Sequence, residues 1–332
     1  MSTIADVSEH SLIARIKSQL AAAPPWLIVG IGDDGAVVEH ERNHLDVLTV
    51  DALVDGVHFD RTFTPPDAIG HRALAANLSD LAAMGAKPRL ALLSMALPPT
   101  LPLADFDQIV AALAGLAATH QMHVVGGNLT RTPGPLMVDI TAMGTARRRH
   151  VLRRAGARPG DELYVTGTVG SAKAGLQRLK DGLSPSDAPL DHCVRSYLYP
   201  TPRVRTGMLV ARNRAASACM DLSDGLADAV HQVTQASQIG ATLTPESFPI
   251  EAGARDWFLA RGLDPRHEAL HGGDDYELLF AVARRARRAF HAAARLSGVP
   301  VTRVGVCVPE PGVRLEGQAG VVDVAAGFRH FQ

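Results

Sequence analysis

Aspartates recur at or near the ends of apolar segments along this chain: Asp33-Asp34, Asp51, Asp80, Asp221, Asp224 and Asp274-Asp275. Each has an ordinary reading. Ser223 and Asp224 suit the N-cap of a following helix. Asp51 suits a solvated strand end, Asp274-Asp275 a turn, and Asp80 the wet rim of a helix, since Asp is rarely buried. A single shared cause is more economical than separate explanations at every site. Carboxylates that converge on one cleft repel one another unless hard cations neutralise them. Magnesium suits such a cleft, because it takes one or two carboxylates per ion and leaves its other positions to water and phosphate oxygens. The chemistry implied is phosphoryl transfer, in which positioning and charge neutralisation dominate.

Other catalytic patterns are weak or absent. Gly30-Ile-Gly32-Asp33-Asp34-Gly35 matches the dinucleotide fingerprint, but that motif needs a helix N-terminus to receive a pyrophosphate. Here two carboxylates would repel the ligand, and the residues that follow, Ala36 to His40, read as a strand. Gly167 to Lys173 fails as a phosphate loop because its Lys comes one residue late and is followed by Ala. No Ser-His-Asp or Cys-His arrangement stands out. Cys193, Cys219 and Cys307 are far apart, with no Cys-x-x-Cys pair, so neither a zinc knuckle nor a disulfide framework is indicated. Among the histidines only His58 sits near an acidic turn, and spacing alone leaves its role open.

The elements that must position these residues can be read from periodicity. Ala75 to Pro88 is the end of a helix, with Ile69, Ala73, Ala76, Asn77, Asp80 and Met84 at helical spacing. Gly85 suits a left-handed C′ residue and Pro88 stops the helix. A carboxylate on so small and apolar a face is costly unless something positive meets it. Helices are further expected over Ser8–Leu20, Asp105–His120, Ser171–Lys180, from after Gly225 to about Ser237, and over Arg284–Ala294. Strands are expected over Leu45–Val50, Leu90–Leu97, Met122–Val125, Leu136–Gly144, Leu163–Thr166 and up to Phe280, with Val54–Phe59 continuing the sheet. Gly126-Gly127-Asn128 reads as a turn, and Asp181–Pro189 as a mobile surface loop. The order favours an α+β or mixed sheet over a clean parallel wind. Charge and Gly/Pro concentrate from Arg147 to Asp161, so the domains are expected at 1–147 and 148–332. Leu78-Ser79-Asp80 faintly echoes Leu222-Ser223-Asp224, a weak hint of related halves.

Composition narrows the partners. The 332 residues suffice for two domains, and 33 basic against 34 acidic residues give no global field to draw in nucleic acid. The Arg147–Arg154 patch reads as a solvated junction with Arg154 turned towards phosphate. No apolar run approaches the ~20 residues needed to span a bilayer, and Asp6, Glu9 and Arg15 interrupt any leader-like stretch. A cytoplasmic protein with no membrane partner is expected.

Taken together and in order, these motifs resemble the thiamine-monophosphate kinase family, in the superfamily that includes aminoimidazole ribonucleotide synthetase. The likeness runs from Glu9–Ile16 through Gly30–Asp34, Thr49–Phe59, Ala75–Pro88, Gly126-Gly127, Gly156–Gly167, Asp221–Gly225 and Gly272–Leu278 to Gly327–Phe331. It implies a two-domain α+β fold. The N-terminal α/β domain would build a dimeric β-barrel with a second copy, and an α+β C-terminal domain would lie beside it. It implies transfer of the ATP γ-phosphoryl group to thiamine monophosphate. By the same resemblance Asp34, Thr49, Asp51, Asp80, Asp221 and Asp224 would bind Mg²⁺. Gly127, Arg154 and Ser223 would contact ATP, and His58, Asp274 and Phe328 would face thiamine phosphate. This chain departs from the family pattern at three points. Val50 replaces a Thr, so any metal contact there must use its carbonyl. Asn128 replaces an Asp as metal and nucleotide ligand, and supplies oxygen without charge. Asp274 replaces a Glu. A sister enzyme with another acceptor, or a decayed nucleotide-binding module, are the competing readings. The acceptor phosphate has a second pKa near about 6 and is largely dianionic at neutral pH, so no general base is expected.

Overall fold

Short apolar runs punctuated by Gly and Pro fold here into two main sheets, each with its own set of helices. The computed structural model describes residues 2–184, 191–317 and 320–325. The chain divides into two compact units, Met1–Leu81 with Lys87–Arg147, and Ala82–Ala86 with Arg148–Gln332. The first runs α1 (Glu9–Gln19), β1 (Leu27–Val29), β2 (Val37–Val38), β3 (Leu45–Val54), α2 (Pro66–Ala83), β4 (Lys87–Leu97), α3 (Leu103–Thr119), β5 (His123–Arg131) and β6 (Met137–Ala146). A four-stranded sheet has the order β3-β6-β4-β5, antiparallel except for the parallel pair β4–β5. A parallel neighbour requires a crossover, which α3 provides.

The stripe read on α2 understates its burial. Ala68, Ile69, Ala73, Leu74, Ala75, Asn77, Leu78 and Leu81 are each at most 1% exposed. A helix apolar on nearly every side belongs in a core, and here that core must also hold Asn77. Gly85 takes φ +67°, the left-handed end expected of it.

The second unit runs β7 (Glu162–Thr166), α4 (Ser171–Lys180), α5 (His192–Leu198), α6 (Val204–Arg212), β8 (Ala218–Asp221), α7 (Leu226–Ser237), β9 (Gly240–Leu243), α8 (Ala252–Ala260), α9 (Pro265–Leu270), β10 (Leu278–Val282), α10 (Arg287–Ser297), β11 (Val301–Val308), β12 (Gly312–Gly317) and β13 (Gly320–Asp323). Its sheet has the order β13-β12-β9-β11-β7-β10-β8, antiparallel except β9–β12. β7 and β10 are buried at every residue. Continuous rather than alternating burial marks strands covered on both faces. The architecture is therefore two-domain α+β. No helix among the described residues is long and apolar enough to cross a membrane.

Some sequence expectations need correction. Gly126-Gly127-Asn128 is not a turn but lies inside β5, where a bulge displaces the register between Ala91↔Val124 and Leu92↔Gly126. Gly127 has φ +158°, and a Cβ there would stand 1.8 Å from the Leu93 carbonyl oxygen. The glycine is required by the close approach of β4. Val54–Phe59 does not continue the sheet: β3 ends at Val54, Gly56 turns the chain at φ +81°, and only an isolated bridge joins Asp55 to Phe59. The echo between the halves is not structural, because Leu78–Asp80 is mid-helix whereas Leu222–Asp224 follows a strand end. Part of the expected loop 181–189, and the closing 327–331 segment with Phe328, lie outside the described residues.

Candidate active site

In the first unit the site is built where β3 meets α2. Thr49 and Asp51 alternate with Val50, so their side chains leave β3 on the face opposite to that of Val50. Thr49 Oγ1 donates a short hydrogen bond to Asp80 Oδ2, across 31 residues of sequence. No basic side chain pairs with Asp80 among the described residues. One turn earlier Asn77 Nδ2 donates to the Ala73 carbonyl at 3.1 Å. Its buried Oδ1 has no partner among the described residues. A half-buried corner with no basic partner for Asp80 thus lies where β3 meets α2, and one turn earlier on α2 Asn77 carries an oxygen that spacing alone did not single out as a ligand.

Asp34 sits in the exposed turn between β1 and β2, its N–H donating to Asp33 Oδ1 at 2.9 Å. β2 pairs back on β1 and no helix follows, which removes the element a dinucleotide would need. His58 Nδ1 accepts the Val54 N–H at 3.1 Å, which leaves Nε2 as the place for the ring proton of the neutral form. Val50 projects from the other face of the sheet, 61% exposed. Asn128 pairs with Ser94, and Leu92 and Val50 both pair with Thr141, so Asn128 shares that other face. A single chain therefore does not bring the side chains of Asn128 and Val50 to Thr49 and Asp80. β3 and β5 are the two edges of the sheet, about 14 Å apart at strand spacing.

In the second unit the N-cap of α7 is Gly225, with φ +95° and no side-chain cap. Capping therefore does not explain Ser223 or Asp224. Asp221 ends β8, 4% exposed, paired with Leu278 of β10. The Asp274 N–H donates to the Ser223 carbonyl at 2.7 Å, and the Tyr276 and Leu222 N–H groups bond across to Leu222 and Glu277 at 3.1 and 2.8 Å. This lattice fastens the two acidic turns together. It also holds Asp274 at φ +66° and Tyr276 at φ +49°, conformations costing roughly 1–3 kcal/mol each for such residues.

The neighbours of Asp274 have different roles, which sequence reasoning missed. Asp275 accepts the N–H groups of Gly170 (2.6 Å) and Ala172 (3.0 Å), capping α4 from a distance of more than 100 residues in sequence. Glu277 takes Arg203 in an ion pair. Arg154 lies exposed against α7, where it donates to Gln232 Oε1, and Gln232 in turn donates to Asp228. Lys173 of the failed phosphate loop pairs with Glu268 at 3.0 Å. All three cysteines are buried, which pushes the thiols of Cys193 and Cys307 up to about 12 and that of Cys219 well above its ordinary value. None can serve as a thiolate nucleophile. A cavity of about 390 Å³ between α1, β1 and α3, lined by Lys17, Leu20, Ile28, Ala117 and His123, contains none of the acidic residues.

Asp275 carries a pH signature. Burial pushes its carboxyl from 3.8 up to about 7, against the two helix N–H groups and with help from Glu277 and Asp274. The folded state then holds a proton that the unfolded chain gives up above about pH 4. That stabilising contribution is complete below the unfolded value and is lost as pH rises through about 7. Asp275→Asn is expected to flatten the dependence of the urea unfolding midpoint on pH between about 4 and 7. An unchanged slope would place the titration elsewhere.

Comparison with known proteins gives this architecture its class. The family profile described as AIR synthase related protein, N-terminal domain, matches residues 32–146, and the profile for the C-terminal domain matches 158–318. The thiamine-monophosphate kinases of Synechococcus elongatus and Escherichia coli K12 are each 36% identical, over 90% of this chain and 91% and 89% of theirs. The crystal structure of thiamine-monophosphate kinase from Stenotrophomonas maltophilia is 36% identical with a TM-score of 0.84, covering 95% of this chain and 98% of that one. AaThiL complexed with AMPPCP and TMP is 29% identical with a TM-score of 0.78, covering 100% and 99%. The hydrogenase maturation protein HypE of E. coli shares the fold at 22% identity, with a TM-score of 0.77 and 98% of each chain covered. The chain belongs to the AIR synthase related family and, within it, to the thiamine-monophosphate kinases.

Proposed function

We infer that this protein phosphorylates thiamine monophosphate with ATP, giving thiamine diphosphate and ADP, by direct in-line attack of the acceptor phosphate. The observation that carries this is likeness over the whole chain to AaThiL, solved with AMPPCP and TMP. In AMPPCP a methylene takes the place of the β–γ bridging oxygen, so it stands in for ATP. A dianionic acceptor needs no base and leaves no reason for a phosphoenzyme. The main barrier is repulsion between two polyanions.

The donor set suits Mg²⁺. Asp34, Thr49, Asp51, Asp80, Asp221 and Asp224 offer only hard oxygens, and neither Asp34 nor Asp80 has a basic partner among the described residues. When bound, Mg²⁺ would supply charge neutralisation between donor and acceptor. The chain itself orients the ligands: the Thr49 hydroxyl fixes one Asp80 oxygen, and the β8–α7 and 272–277 turns hold Ser223 and Asp274 in register. His58 is assigned to thiamine phosphate. The Gly127 backbone, Asn128, Arg154 and Ser223 are assigned to ATP, and Val50 can act only through its carbonyl. Phe328 is assigned to the thiazolium ring. The region 1–147 is the ATP, metal and dimerisation domain, and 148–332 the C-terminal α+β domain.

A homodimer is part of this reading. Leu48, Val50 and Leu92 stand 69%, 61% and 39% exposed on the outer face of the four-stranded sheet. An apolar sheet face of that kind is normally covered, and a second copy would close it into a barrel. A site using both Asp51 on β3 and Asn128 on β5 would then draw its two edges from two copies. The protein acts in the cytoplasm, where ATP and Mg²⁺ are available.

A coupled ADP assay tests the reading: Mg²⁺-dependent ADP release should require thiamine monophosphate, and indifference to it would favour a sister enzyme or a decayed site. Asn128→Asp, which restores a charge, should give equal or up to several-fold higher activity at limiting Mg²⁺. A collapse would assign Asn128 another role.

A further inference from the structure

In the second unit α4, α5 and α8 pack through a small core of Ala174, Cys193, Ala254 and Phe258. At its edge His192, Cys193 and Glu251 each present one ligand atom, and these atoms lie within 4.8 Å of one another. Cys193 Sγ donates to Glu251 Oε2 at 3.4 Å, across 58 residues of sequence. Nitrogen, sulfur and oxygen donors at metal–ligand lengths of about 2.0–2.3 Å stand roughly 3.5 Å apart in a tetrahedral site. A small closing movement would therefore seat an ion.

We propose that His192, Cys193 and Glu251 form a binding site for one Zn²⁺, with water in the fourth position. This site differs in kind from the all-oxygen magnesium set, because a thiolate and an imidazole select a borderline-soft ion. Two of the three ligands are already held. Glu251 caps α8 by accepting the Ala254 N–H at 2.9 Å, and the Cys193 N–H is fixed on Asp191 Oδ1 at 2.9 Å. Only the exposed His192 must settle into one rotamer. Arg178 is a nearby cation, but its Nη1 meets Asp191 Oδ2 at 2.6 Å and its Nη2 donates to the Gly253 carbonyl at 2.7 Å. On binding, the S–H bond of Cys193 breaks, a Zn–S bond forms, and the proton passes to solvent with no change of oxidation state. The ion would clip the start of α5 to the start of α8. The competing reading is an ordinary thiol–carboxylate hydrogen bond with His192 turned to water.

Co²⁺ titration of the whole protein, with Mg²⁺ in excess and a non-chelating reductant, separates the two. Thiolate ligation gives an intense sulfur-to-cobalt charge-transfer absorption that oxygen sites cannot produce. The band should saturate at one equivalent and disappear on adding Zn²⁺. It should persist in Cys219→Ser, vanish in Cys193→Ser, and need at least tenfold more Co²⁺ in His192→Ala, whose activity with Mg²⁺ should match that of the wild type. No band in the wild type, a band surviving in Cys193→Ser, or unchanged affinity in His192→Ala would overturn the site. If Cys193→Ser does not fold, the surface variant His192→Ala decides alone.

Discussion

Asp80→Asn is expected to lower kcat/KM for thiamine-monophosphate-dependent ADP release by about 10³-fold or more, roughly 4 kcal/mol of transition-state stabilisation. The substitution keeps the side-chain shape. Thr49 Oγ1 can still donate to the remaining amide oxygen, so the strand–helix contact survives. What disappears is one negative charge in a corner where no basic side chain among the described residues balances it. Thermal unfolding should therefore move little, or upward, while activity collapses. Thr49→Val makes the complementary change, removing the hydroxyl and leaving the charge, and should cost less. Activity of Asp80→Asn within tenfold of wild type would sink the metal reading of this corner.

Glu277→Gln is expected to destabilise the second unit by about 3–5 kcal/mol, the usual cost of leaving a buried partner charge uncompensated. Glu277 is 4% exposed. It takes Arg203 through Nε at 2.7 Å and through Nη2, and the Thr166 hydroxyl at 2.5 Å. Burial works against the Arg203 charge, but the hydrogen bonds and charge of Glu277 outweigh it and hold Arg203 above its ordinary value. Gly167 leaves the necessary space, since a Cβ there would stand 2.0 Å from Glu277 Oε1. The Glu277 carbonyl also accepts the Leu222 N–H, so the damage should reach the Asp274 turn and raise KM for the acceptor. Urea unfolding measures the first effect and steady-state kinetics the second. The pair Arg203→Met/Glu277→Leu should lose less than the sum of the single changes, because no charge is then stranded. A loss below about 1 kcal/mol for Glu277→Gln would mean that solvent reaches the pair.

Much of the fold could be read locally. The helix over Ser171–Lys180, the left-handed stop at Gly85 and the buried strand at Leu278 follow from periodicity and punctuation, which depend only on near neighbours. The helices α5, α6 and α8, the strand β9 and the three strands after Ser297 gave no comparably clear pattern. Their burial is set by packing onto a sheet whose order, β13-β12-β9-β11-β7-β10-β8, is not the order of the chain.

By itself the amino-acid sequence determined the chemical inventory: aspartates at segment ends, hard oxygen donors, and no Cys-x-x-Cys pair. Residue type and local turn chemistry are enough for that. Only the tertiary structure decided the division of labour among those acids. Asp275 caps a helix more than 100 residues away, Glu277 holds a buried arginine, and the Asp274 N–H ties its turn to the Ser223 carbonyl. Thr49 reaches Asp80 because β3 lies against α2, and Asn128 is separated from both because it sits on the opposite edge and face of the sheet. Hydrogen-bond pairing and strand register link residues distant along the chain, and spacing along the chain does not encode them.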